Sequence, residues 1–158
     1  MPHSKVSDNS AVAEALLTAS RALVAVAARS LAAVDEVVTL PQYRALVVLA
    51  AKGPQNVGEL ADALTIHPST ATRLCDRLVA KKLVRRVHSR ANRRETTISL
   101  SQSGNDLVDQ VTALRRREID HIVGRIPAAV RPSLVAALTT FADAAGEIPD
   151  QSWLLGWS

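Results

Sequence analysis

Two arginines four residues apart, Arg73 and Arg77, share a segment with short hydroxyl side chains at Ser69, Thr70 and Thr72. On a helix these types and spacings place guanidinium groups and hydroxyls on one face, where they suit the base edges and phosphates of a major groove. The surrounding charge points the same way. From Arg73 to Arg94, nine basic residues (Arg73, Arg77, Lys81, Lys82, Arg85, Arg86, Arg90, Arg93, Arg94) meet a single acid, Asp76, whereas the whole chain carries only +4. The rest of the molecule is therefore net acidic, and a cationic block on an acidic body is the footprint of a surface that tracks a phosphate backbone. A solvated charged face is the plainer alternative.

The elements that position these residues follow from periodicity. Ala71, Leu74, Cys75 and Leu78 form an apolar stripe opposite the arginines, and Pro68 suits a first helical turn. Before it, Asn56 with Glu59 three positions on reads as a capping box, and Val57, Leu60, Ala61 and Leu64 repeat at helical spacing. The two helices are separated by Thr65-Ile66-His67, the spacing of a helix-turn-helix. Further upstream, Pro41 to Ala50 predicts a short helix that stops at Lys52-Gly53-Pro54. Downstream the period changes: Val84 to His88 and Glu95 to Leu100 read as strands around a polar tip, Ser89 to Arg94. Ser101 then caps a helix to about Val123, with Leu107, Val111, Leu114 and Ile122 on one stripe, and Pro127 and Pro132 precede a last helix carrying Leu134, Leu138 and Phe141. The first helix, Ala11 to Val34, has apolar positions at Leu16, Leu23, Val26, Ala27, Leu31 and Val34, so something must cover it.

Other chemistries find little support. No nucleophile and base pair, phosphate loop or paired catalytic carboxylates can be assembled, so an enzyme is not expected. The four histidines lack zinc-site spacing, and no metal or cofactor is implied. The single cysteine, Cys75, falls on the apolar stripe and reads as packing, and such cysteine usage suits a reducing cytoplasm. Glu14, Arg21 and Arg29 interrupt the apolar first helix, so neither a membrane span nor a signal peptide is expected there. With 158 residues, 47% of them hydrophobic and 3% aromatic, the chain can bury one aliphatic, mainly helical core.

The order of elements resembles the MarR family of winged helix-turn-helix transcriptional regulators, from Ala11 to about Glu147. Thr70 to Leu78 is similar to the family's recognition helix, Leu83-Val84-Arg85-Arg86 to its entry into the wing, and Ile98 to Gly104 to its exit. Two departures stand out. The wing tip Ser89-Arg90-Ala91-Asn92-Arg93-Arg94 keeps an arginine at Arg94 but has neither of the family's two aspartates, and Lys82 stands where a glycine is common. Family members that sense peroxide carry a cysteine in the first helix, where this chain has none.

The resemblance implies a mainly α fold with a two- or three-stranded β wing, and a homodimer that binds double-stranded DNA at a pseudo-palindromic site. Its implied contacts are Ser69, Thr70, Thr72, Arg73, Arg77 and Arg86, with Arg90, Arg93 and Arg94 along the minor groove; Asp76 would orient Arg73, Arg77 or a wing arginine. It further implies repression relieved by a small aromatic or phenolic ligand in a cleft that Arg21, Arg29, Tyr43, His67 or Arg86 could reach. The corresponding division is an arm (1–9), a dimerisation helix (10–40), a DNA-binding lobe (41–101), C-terminal dimerisation helices (102–147) and an apolar tail (148–158). A winged-helix protein-interaction module and a non-specific DNA-coating protein are the competing readings.

Overall fold

The computed structural model describes residues 3–35, 37–88 and 96–147. Within them run α1 (His3–Ala32), α2 (Leu40–Lys52), α3 (Val57–Leu64), α4 (Pro68–Ala80), β1 (Val84–His88), β2 (Thr96–Leu100), α5 (Gln102–Val123) and, after a 3-10 turn at Ala128–Val130, α6 (Arg131–Ala144). The fold is mainly helical with a small β wing, as the periodicity predicts.

Short polar side chains set the helix starts. Asn56 Oδ1 accepts from Glu59 N at 2.9 Å while Glu59 Oε2 accepts from Asn56 N at 2.8 Å, the reciprocal box expected from sequence. An unanticipated second box opens α2, where Thr39 and Gln42 exchange the same pair of bonds at 3.4 and 3.2 Å. Ser101 starts α5 by accepting from Gly104 N at 3.0 Å and donates its own hydroxyl proton to the Lys82 carbonyl at 2.7 Å. The strands pair antiparallel with Val84 opposite Leu100 and Arg86 opposite Ile98. Ile98 also exchanges backbone bonds with Gln55 at 3.0 and 2.7 Å, which ties the wing to the segment before α3 as a one-residue third strand.

One cluster, including Leu46, Leu49, Leu60, Cys75, Leu78, Val84, Ile98, Leu107, Val108 and Val111, joins α2, α3, α4, the sheet and α5. At its edge the first turn of α5 lies against the chain entering β1: a Cβ on Gly104 would sit 2.1 Å from the Leu83 carbonyl oxygen. Only a glycine allows that approach, because the obstacle is backbone.

The outer helices differ from the expectation in two respects. Residues 3–9 extend α1 rather than forming an arm. Apolar positions near the C-terminus of α1 are covered: Val26 and Leu31 are buried and Arg29 pairs with Glu118 of α5 at 2.6 Å, whereas Val12, Leu17, Leu23 and Val24 are exposed. The stretch Asp8–Ala32 is also long and apolar enough to cross a membrane by length and composition. Its charges are widely spaced, with only Glu14 and Arg21 between Ala11 and Ala28, so these interruptions do not by themselves exclude a span. Nothing on α6 is buried, and Val135, Leu138 and Phe141 face outward.

Replacing Gly104 with Ala should reduce stability by at least ~2 kcal/mol, since the new methyl group must displace backbone at the α5 and β1 junction. Urea unfolding measures this, and an unchanged midpoint would contradict the close approach.

Candidate nucleic-acid interface

Helix α4 has two chemically distinct sides. Ala71, Cys75 and Leu78 are wholly buried, while Ser69, Thr70, Thr72, Arg73, Asp76 and Arg77 are exposed. The hydroxyls are not equivalent. The helix is capped by His67, whose Nδ1 accepts from Ser69 N at 3.2 Å and lies 2.8 Å from the Ser69 hydroxyl. Thr72 donates to the Pro68 carbonyl at 3.0 Å. Among the described residues, none partners the side chains of Thr70, Arg73 or Arg77.

Arg73 and Arg77 are like charges at i and i+4, an arrangement that weakens an isolated helix by roughly 0.2–0.5 kcal/mol. Asp76 does not relieve them, because its carboxylate is engaged by Arg86 of β1. Of the three roles open to Asp76, the structure selects the wing arginine. This pair ties the wing to the recognition helix and leaves the outer face of α4 cationic. Both partners are about half exposed, at 44% and 53%, so the pair aligns the two elements and adds only about 0–1 kcal/mol of stability.

The nine basic residues therefore do different jobs. Arg86 is held by Asp76, and Arg85 donates to Ser99 Oγ at 3.4 Å across the strand pair. Lys81 reaches away from the wing, donating to Gln42 Oε1 at 3.0 Å and to the Val37 carbonyl, which anchors the end of α4 to the α1–α2 connection. Lys82 takes a left-handed conformation, φ 59°, the geometry that favours glycine at this position. The anchoring role of Lys81 is invisible in the sequence because Val37 and Gln42 lie about 40 residues away. Arg90, Arg93 and Arg94 fall outside the described residues.

The residues that could reach the ligand cleft implied by the resemblance are engaged elsewhere. Arg21 donates to Thr18 at 3.2 Å, Arg29 pairs with Glu118, His67 caps α4 and Arg86 holds Asp76; Tyr43 is buried with its hydroxyl 3.4 Å from Thr112 Oγ1. They do not converge on one site. Cys75 lies directly beneath the recognition face, and burial raises its thiol above the ordinary value, against a smaller opposing effect of the Arg86 guanidinium. It is a packing thiol, as its place on the apolar stripe indicates.

A helix-turn-helix with an exposed cationic second helix, followed by a two-stranded wing, defines a winged helix-turn-helix protein. The model of the MarR family matches residues 38–96, from just before α2 to the start of β2. The solved structure of RV1404 from Mycobacterium tuberculosis is similar over 89% of this chain and 96% of its own, with 46% identity and a TM-score of 0.84. The HTH-type transcriptional repressor MdtR of Bacillus subtilis is 34% identical over 79 residues, so the chain spans about half the length of that curated relative. BpsR of Bordetella bronchiseptica, whose DNA binding is regulated by 6-hydroxynicotinic acid, is similar at 25% identity over 84% of this chain and 93% of its own, with a TM-score of 0.63. The chain belongs to the MarR family of winged helix-turn-helix transcriptional regulators, which are not enzymes.

Native protein should react with a thiol reagent only as fast as it unfolds, whereas urea-unfolded chain reacts at the free-thiol rate. Equal rates would contradict the burial of Cys75.

Proposed function

We propose that the chain is a sequence-specific DNA-binding repressor that acts as a cytoplasmic homodimer. The observation that carries this reading is the pair Arg73 and Arg77 on the exposed face of α4, with the wing locked beside it through Asp76 and Arg86. In this reading α4 enters a major groove. Arg73 and Arg77 take phosphates or guanine edges, a bidentate base contact being worth about 1–3 kcal/mol of discrimination, with Ser69, Thr70 and Thr72 beside them. Arg86 follows the backbone, and Arg90, Arg93 and Arg94 lie along the adjacent minor groove, whose negative potential draws arginine. Without aspartates at the tip, the wing attracts phosphate without an opposing charge.

Residues 41–101 form the DNA-binding lobe, and 10–40 with 102–147 form the dimerisation region. Supporting the dimer are the exposed apolar side chains of α1 (Val12, Leu17, Leu23, Val24) and of the C-terminal part (Ile122, Val130, Val135, Leu138, Phe141), which a second copy would cover. The same cover accounts for the apolar length of α1 without a membrane. Two recognition helices so held must sit about 34–36 Å apart, or a multiple of that, to meet successive grooves. A ligand that changes the spacing relieves repression. The regulation of BpsR supports a small aromatic acid as the class of effector.

The test uses fluorescence anisotropy on a duplex from upstream of the gene and on scrambled duplexes. Arg94→Ala should weaken binding to every sequence and lower the salt slope by about 1, while Arg73→Ala and Arg77→Ala should also change the ranking of sequences. Equal losses on every duplex for all three variants would remove base readout, and monomers at micromolar concentration in sedimentation would remove the dimer.

A further inference from the structure

We propose that a cavity beside the turn into α4 is the seat of the chain's own C-terminal tail, with the indole of Trp153 as its occupant. The cavity has a volume of about 270 Å³ and is lined by Leu40, Pro41, Arg44, Leu64, Ile66 and Leu74. That is smaller than the roughly 300–1,000 Å³ of clefts that hold a drug-sized ligand, so it suits one ring system rather than a large molecule. Five of the six lining residues are apolar, and the sixth, Arg44, supplies a cation suited to the face of an aromatic ring.

The chain itself is delivered to this place. Gly146, with φ 72°, closes α6 as Gly146 N donates to the Asp143 carbonyl and Glu147 N to the Ala142 carbonyl, both at 3.0 Å, a reversal that ends the helix. Glu147 Oε1 then accepts from Arg44 Nη2 at 2.8 Å. The same guanidinium lines the cavity, so residue 147 is held at its rim. The tail that follows, residues 148–158, lies outside the described residues; its sequence carries Trp153, Leu154, Leu155 and Trp157 with one charged side chain, Asp150. Trp153 lies six positions after Glu147, a reach of up to ~20 Å for extended chain, which is ample to return an indole to a cavity that starts at the anchoring side chain. An apolar tail in water is unfavourable, and an apolar cavity beside its root removes that surface from solvent. The acid at Asp150 complements Arg44. Because Leu74 belongs to α4 and Ile66 to the turn before it, a seated indole braces the recognition helix from behind.

Both tryptophans of the chain are in the tail, so intrinsic tryptophan emission reads this segment directly. In full-length protein carrying Trp157→Phe, the remaining Trp153 should emit to the blue of the urea-unfolded chain. Adding Ile66→Gln or Arg44→Gln should move the emission toward the unfolded value, with circular dichroism verifying that each variant is folded. Arg44 is on the surface, so its variant keeps the test decisive where Ile66→Gln does not fold. Native emission equal to the unfolded value would overturn the proposal, as would blue-shifted emission indifferent to the folded cavity variants. A blue shift lost on dilution would assign the occupant to a second copy, against the proposal. The readout involves no DNA and therefore stands or falls apart from the regulatory reading.

Discussion

Ala71, Cys75 and Leu78 are withdrawn from solvent, and around them lie Leu46 of α2, Leu60 of α3 and Ile98 of β2, all wholly buried. Burying a large aliphatic side chain contributes about 1.5–3 kcal/mol, against about 0–1 for an exposed ion pair, so apolar packing fixes how α4 is rotated. Once its inner face is fixed, the helix has no choice about what it displays. Arg73 and Arg77 are outside because their neighbours at helical spacing are inside.

Polar contacts then perform what packing cannot, which is alignment. Asp76 and Arg86 set the wing against the recognition helix, and Lys81 ties the other end of α4 to Val37 and Gln42. Gln42 Oε1 also accepts from Thr39 N, so one amide oxygen serves both the start of α2 and the end of α4. Arg29 and Glu118 join α1 to α5. Through these contacts the outer helices and the DNA-reading lobe form a connected body, the condition a regulator needs if changes at the helices are to be felt at the groove.

The sequence was most legible where the determinants are local. The capping box at Asn56, the start of α5 at Ser101, the stripe of α4 and the alternation that marks the two strands depend on residues a few positions apart. Lys82 stands where the resemblance places a glycine, and its left-handed backbone is the conformation that explains that preference. What was missed depends on distance along the chain. His67 read as a turn residue, yet its ring nitrogen caps α4. Lys81 counted as one charge among nine until Val37 and Gln42 were seen beside it. The start of α1 at His3 is not legible in the sequence, because its polar residues show no apolar periodicity. Asp76 was assigned to three arginines because spacing alone could not choose among them.

The central claim is that the α4 face and the wing together read a particular DNA sequence. The most direct measurement is fluorescence anisotropy of wild-type protein on the duplex upstream of its own gene and on a shuffled duplex of equal composition, each at two salt concentrations. The account predicts salt-sensitive binding with a preference of at least about a thousandfold for the upstream duplex. Equal affinity for both duplexes, or no binding to either, would contradict it.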